Sequence, residues 1–98
     1  MVSYPVVVCP LIRDHLDMAK PSPTHSGAPL LVALGKVIKE QRQAKGISQE
    51  ALALLIGIDR SYMGGIERGE HNVALINLQK ISDSLELKLW ELIKLTKL

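Results

Sequence analysis

The sequence predicts an all-α domain of five short helices, and two observations carry that expectation. From residue 29 onward the apolar residues recur at helical spacing, while no run alternates well enough to make a sheet. Three of the helical segments are bracketed by residues that start and stop helices: Pro29 and Gly46, Ser48 and Gly57, Asp59 and Gly69. The supply of core residues is almost wholly Leu, Ile, Val, Ala and Met, because the aromatics are only Tyr4, Tyr62 and Trp90, with no Phe. So few aromatic faces argue against single-strand nucleic-acid modules, which stack bases on several of them.

The first helix is expected from about residue 28 to 45. Pro29 stands in its first turn, where a missing N–H costs little, and Leu30, Leu31, Leu34, Val37 and Ile38 form one stripe, with Lys36, Lys39, Glu40 and Gln43 facing away. Ser48 is a good N-cap for a second helix, Gln49 to Ile56, which is expected to bury Leu52, Ala53, Leu55 and Ile56. Asp59 caps a third, Arg60 to Arg68. A fourth, near 75–85, turns Leu75, Leu78, Ile81 and Leu85 inward. A fifth, near 88–95, carries Leu89, Trp90 and Ile93 on one face and Leu92, Leu95 and Leu98 on the other. The second and third helices, joined by Gly57-Ile58-Asp59, make a helix-turn-helix pattern.

Laid out at 100° per residue, the third helix separates two faces. Met63 and Ile66 point inward with Glu67 beside them, while Arg60, Ser61, Gly64, Gly65 and Arg68 share the outer arc. Two glycines within a helix cost about 1 kcal/mol each relative to Ala. A helix that must approach another surface closely has a use for them. Arg forks suit guanine O6 and N7 in a major groove, and Ser bonds a base edge or a phosphate, so this is read as a recognition helix. The alternative is a solvated helix whose glycines permit tight packing within the chain.

These segments also carry a resemblance. Ser48-Gln49-Glu50-Ala51-Leu52-Ala53, Gly57-Ile58-Asp59-Arg60-Ser61-Tyr62-Met63 and Gly65-Ile66-Glu67-Arg68-Gly69 resemble the Cro/cI-like (XRE) helix-turn-helix family. With Asn72-Val73 and Asn77-Leu78 added, the chain looks most like the controller proteins of restriction-modification systems. The resemblance runs from about residue 34 to 93. It implies a five-helix, lambda-repressor-like domain that binds palindromic operators in double-stranded DNA as a homodimer. By motif position, Arg60, Ser61, Gly64 and Gly65 would lie against base edges. Gln49, Tyr62, Arg68, His71 and Asn72 would meet the phosphate backbone, Tyr62 reaching it or a base. Arg42 and Glu67 match positions that form a partly buried ion pair between the first and third helices. Controller-like relatives tend to have Ser at the position of Gly64 and Arg at that of His71.

Composition bounds what else the chain can be. Its 98 residues are 47% hydrophobic and 22% charged, which fits one globular domain. Residues 1–29 read as an N-terminal extension and Pro-rich linker ahead of a domain over 30–98. Within that extension Tyr4 to Ile12 is an apolar segment, read as a short strand or extended segment at an edge or on the surface; it is far too short to span a membrane and lacks the features of a secretory signal. Arg13 to Met18 offers a helical turn, and residues 20–29 hold three prolines. The single Cys9 excludes an internal disulfide and a multi-cysteine zinc site. His15 between Asp14 and Asp17 is read as a solvated turn rather than a metal site. No phosphate loop, nucleophile elbow or paired-carboxylate motif appears, so neither an enzyme, a cofactor nor a small-molecule substrate is expected. The net charge is only +2, yet Lys36, Lys39, Lys45, Arg60 and Arg68 all lie in the first three helices.

The expected setting is the cytoplasm. The expected dimer face is Leu85, Leu87, Leu89, Trp90 and Ile93, with Leu92, Leu95 and Leu98 left to meet residues 4–12. The rival is a protein-interaction module such as the antitoxin of a toxin–antitoxin pair, its N-terminal segment holding the partner.

Overall fold

The computed structural model describes residue 21 and residues 24–98, and these form five helices. They are α1 (Pro29–Ala44), α2 (Gln49–Ile56), α3 (Arg60–Glu67), α4 (Leu75–Ser84) and α5 (Leu89–Lys94). No strand occurs among the described residues. The expectations for Tyr4 to Ile12, Arg13 to Met18, Cys9 and His15 lie outside them.

Local chemistry sets most boundaries. Ser48 accepts the Ala51 amide at 3.0 Å and Asp59 accepts the Ser61 amide at 2.8 Å, satisfying N–H groups that each helix start leaves open. Gly57 ends α2 in the left-handed region with φ +77°, which lets Ile58 donate to the Ala53 carbonyl at 3.0 Å. At α5 the Lys88 amide donates to Glu91 at 2.8 Å.

α1 packs on α3, α2 and α5, while α2 packs on α3 and α4, and α4 on α5. Between them lies one aliphatic core, with Ile38, Leu52, Met63, Ile81, Leu85 and Leu92 fully enclosed. Gly35 sits where α1 crosses α3. A Cβ there would come within 2.5 Å of the Glu67 carbonyl oxygen and nearer still to that of Ile66.

The core departs from the expected stripes at four places. Leu30 is 49% exposed and Leu75 is 67% exposed, because both stand in the first turn of a helix, beyond the arc its neighbours cover. Leu55 is 65% exposed: α2 turns Leu52, Ala53 and Ile56 inward, and Leu55 falls about 100° off the centre of that arc. On α5 the core side is held by Leu92, which is fully buried, while Trp90 is 60% exposed and Ile93 40%. Leu92 is therefore part of the chain's own core rather than a seat for residues 4–12.

Candidate nucleic-acid interface

The helix-turn-helix unit is α2, the three-residue turn and α3. What fixes its shape is an ion pair at the far end of α3. Arg42 donates from Nε to Glu67 Oε2 at 2.7 Å and from Nη2 to Oε1 at 3.0 Å, a two-point fork. Its Nη1 also donates to the Ile47 carbonyl at 2.9 Å. Glu67 Oε1 takes a further bond from Gln49 Nε2 at 3.0 Å. One carboxylate thus ties the last turn of α1, the first residue of α2 and the last residue of α3. The two ionic side chains are 9% and 3% exposed, so the pair works in a medium of reduced dielectric where a satisfied network is stiff.

At the other end of α3, Arg60 and Ser61 are exposed. Arg60 has no ion-pair partner among the described residues, so its fork is available to a ligand. Bonds from the hydroxyl and amide of Ser61 hold the Asp59 carboxyl below its ordinary range, keeping an anion at the helix start where the dipole favours it.

Other expected contact residues stand differently. Gly64 and Gly65 are buried rather than open on an outer arc. At Gly65 a Cβ would run into the His71 imidazole, 2.5 Å from Cδ2 and closer to Nε2. The absent side chain there admits a neighbour within the chain, which is the packing alternative. Gly64 lies under the ends of two long side chains: a Cβ would meet Arg68 Nη1 at 3.1 Å and Gln49 Oε1 at 3.4 Å. Tyr62 is 7% exposed, its ring edge-on to His71 with centroids 4.8 Å apart. Burial raises its phenol above the ordinary range, against a hydrogen bond with Asn77 that lowers it. His71 is 6% exposed, and Asn72 is exposed. Gln49 is half-buried and engaged with Glu67.

Two cations counted for this side are already paired. Lys45 donates to Glu86 at 2.7 Å, and Arg68 donates to Glu70 at 2.8 Å. Glu70 was not among the expected residues. Its signal lies in Arg68-Gly69-Glu70, because Gly69 at φ +80° turns the chain back after α3 and brings the acid beside the Arg.

The buried His71 Nε2 has no hydrogen-bond partner among the described residues. Burial lowers the imidazole below its ordinary 6.5, with Arg68 adding to that and Glu70 opposing it. A base whose folded value is depressed stabilises the fold fully above 6.5, and that contribution is lost as pH falls through 6.5 toward the folded value. Urea midpoints are expected to drop more between pH 7.5 and 5.5 in the native chain than in His71→Asn. Parallel declines would show that His71 does not titrate as a buried base.

The helix-turn-helix family model matches residues 38–92, which takes in α2, the turn, α3 and α4 entire. The chain belongs to that helix-turn-helix family. Within it the chain is of the Cro/cI-like (XRE) type and is most like restriction-modification controllers. Control protein C.MunI from a Mycoplasma species is 44% identical over 62 residues, covering 62% of this chain and 84% of its own length. The solved controller C.AhdI from Aeromonas hydrophila is 52% identical with TM-score 0.61, over 63% of this chain and 94% of that one. The biofilm regulator SinR, solved in complex with DNA, is 34% identical with TM-score 0.58, over 61% of this chain and 97% of that one.

These helix-turn-helix relatives are transcription regulators and controller proteins. Among the described residues no helix is long and apolar enough to cross a membrane.

The residues expected at a dimer face differ in exposure. Leu85 is fully buried inside the chain's own core and is not available to a second copy. Leu87 and Leu89 are half-buried, and Trp90 and Ile93 are exposed. Leu87, Trp90, Leu95 and the Lys94 stem line a shallow groove, and Lys94 Nζ lies 5.8 Å from the Trp90 ring centroid.

Proposed function

We propose that the protein is a sequence-specific transcription regulator that binds two-fold symmetric operators in double-stranded DNA as a homodimer. The observation that carries this reading is an exposed Arg60, without an ion-pair partner among the described residues, beside Ser61 at the start of α3, in a helix-turn-helix unit locked by the Arg42–Glu67 fork. A recognition helix reads bases with its N-terminal residues and needs a fixed angle to its partner helix. Both requirements are met by named groups.

In this mechanism α3 enters the major groove, Arg60 bonds a guanine edge, and Ser61 bonds a neighbouring base or phosphate. Asn72 lies in the exposed loop that approaches the backbone, and the α2 start at Gln49 faces a phosphate. Tyr62, Gly65 and His71 support α3 from within the chain rather than touching DNA themselves. The second copy places its own α3 about 34–36 Å away, one helical turn along the duplex.

Arg60→Ala is expected to cost about 1–3 kcal/mol of specific binding and to relax preference at one base pair of each half-site. Binding measured on a specific and a random duplex decides it, since equal losses on both would make Arg60 a phosphate contact only. The dimer rests on Trp90 and Ile93 at the exposed edge of α5. Trp90→Glu is expected to shift sedimentation toward monomer with helicity retained, and an unchanged assembly would place the interface elsewhere.

A further inference from the structure

Arg68 stands at the end of α3, yet its guanidinium lies a full turn back, over Gly64. Helical side chains lean toward the N-terminus, so residue i covers position i−4. Here that position has no side chain, and Arg68 Nη1 comes to 3.1 Å from where a Cβ would stand. The same guanidinium is gripped from one side. Nε donates to Glu70 Oε2 at 2.8 Å and Nη2 donates to Oε1 at 3.3 Å. Glu70 is itself anchored, because its amide donates to the Gly65 carbonyl at 2.9 Å and the Gly69 amide to that of Ile66 at 3.0 Å. This is the closed turn that Gly69 allows after α3. The Glu70 side chain is 27% exposed and that of Arg68 62%, so the acid forms the base of the pair and the guanidinium its outward part.

A guanidinium has two edges that can make paired hydrogen bonds. Glu70 occupies the Nε/Nη2 edge, and no bond to Nη1 occurs among the described residues, which leaves the Nη1/Nη2 edge for a ligand. We infer that Arg68 reads a guanine with that open edge, supplying over Gly64 the recognition that residue 64 lacks, and that Glu70 is the positioning residue that aims it. This rests on the DNA-binding reading of α3. It differs from a phosphate role in a way that charge makes measurable. A carboxylate beside a phosphate contact repels the backbone, whereas a carboxylate behind a base contact pre-orders a side chain that would otherwise lose rotamer freedom on binding. With Glu70 in place the pair is neutral, so Arg68 adds selectivity without adding to the salt dependence.

The test uses the full chain, the duplex it selects from a random pool, single-pair variants of that duplex, and a random duplex, across a salt series. Arg68→Ala is expected to lose about ten- to hundred-fold of discrimination at one G·C pair in each half-site. Arg68→Lys keeps the charge but lacks the planar fork that bonds Glu70 and a base at once, so it is expected to lose part of that discrimination. Glu70→Gln is expected to relax that same pair while tightening binding to the random duplex, since a negative charge has gone. Both sites are on the surface, so melting curves should match the native chain. Equal weakening of every sequence by Arg68→Ala, with the salt slope reduced by about one, would make Arg68 a phosphate contact and overturn the inference. Full discrimination retained in Glu70→Gln would overturn the positioning role. A native chain that selects no sequence at all overturns the reading beneath it, whereas one whose preference neither variant relaxes overturns only this inference.

Discussion

Glu67→Ala is expected to remove about 3–5 kcal/mol of stability, because it strands the Arg42 guanidinium in a buried site with its fork unmatched. Gln49 Nε2 loses its acceptor at the same time. A domain of this size has only about 5–15 kcal/mol in total, so the variant should melt about 15 °C or more lower. Removing both charges is a different matter. Arg42→Met with Glu67→Leu fills the space and leaves no unpaired ion, and it is expected to recover most of the loss. Specific DNA binding should not recover with it, because the bonds to Ile47 and Gln49 that set α2 against α3 are gone. Thermal melts of the two variants beside the native chain measure the first point. A single variant as stable as the double would mean that the fork carries little.

Gly35→Ala carries the second large effect, about 3 kcal/mol or more of destabilisation. Overpacking costs about 1–3 kcal/mol when side chains can move aside. Here the atoms in the way are the backbone carbonyls of Ile66 and Glu67. They belong to the last turn of α3, so the helix itself must retreat from α1. That movement would also stretch the Arg42–Glu67 fork, which spans the same crossing. Chemical denaturation reads the loss, with Lys36→Ala on the exposed side of α1 as the reference expected to change little. Equal stability of the two variants would show that α1 and α3 are not held this closely.

The parts of the fold that depend on neighbours in sequence were legible there. Ser48, Asp59, Gly57 and Gly69 start and stop helices through bonds spanning two to five residues, and the structure shows α2 between its expected first and last residues. Burial at helix ends was less legible, as Leu30 and Leu75 show, because it depends on how far the other helices reach. The short α5 is apolar nearly all round, so periodicity could not tell that Leu92 faces the core and Trp90 faces out.

The glycines of α3 teach the same lesson. Their cost inside a helix signals a close approach, but not to what. The structure gives Gly65 to His71 and leaves Gly64 under the tips of Arg68 and Gln49. The same signal was present at Gly35, where the approach is α1 to α3. Glu70 stayed out of sight because an acid is not expected on a surface meant for phosphate, and only the turn at Gly69 shows that it faces Arg68.

In the proposed complex, α3 of each of two copies reads one half of a two-fold site. Selection of bound sequences from a random duplex pool at about 0.15 M salt, where non-specific attraction is screened, tests it most directly. The expected result is a two-fold symmetric consensus with half-site centres about 10 base pairs apart and a preferred G·C pair under Arg60. A pool that emerges without a consensus, or with a single unrepeated half-site, would contradict it.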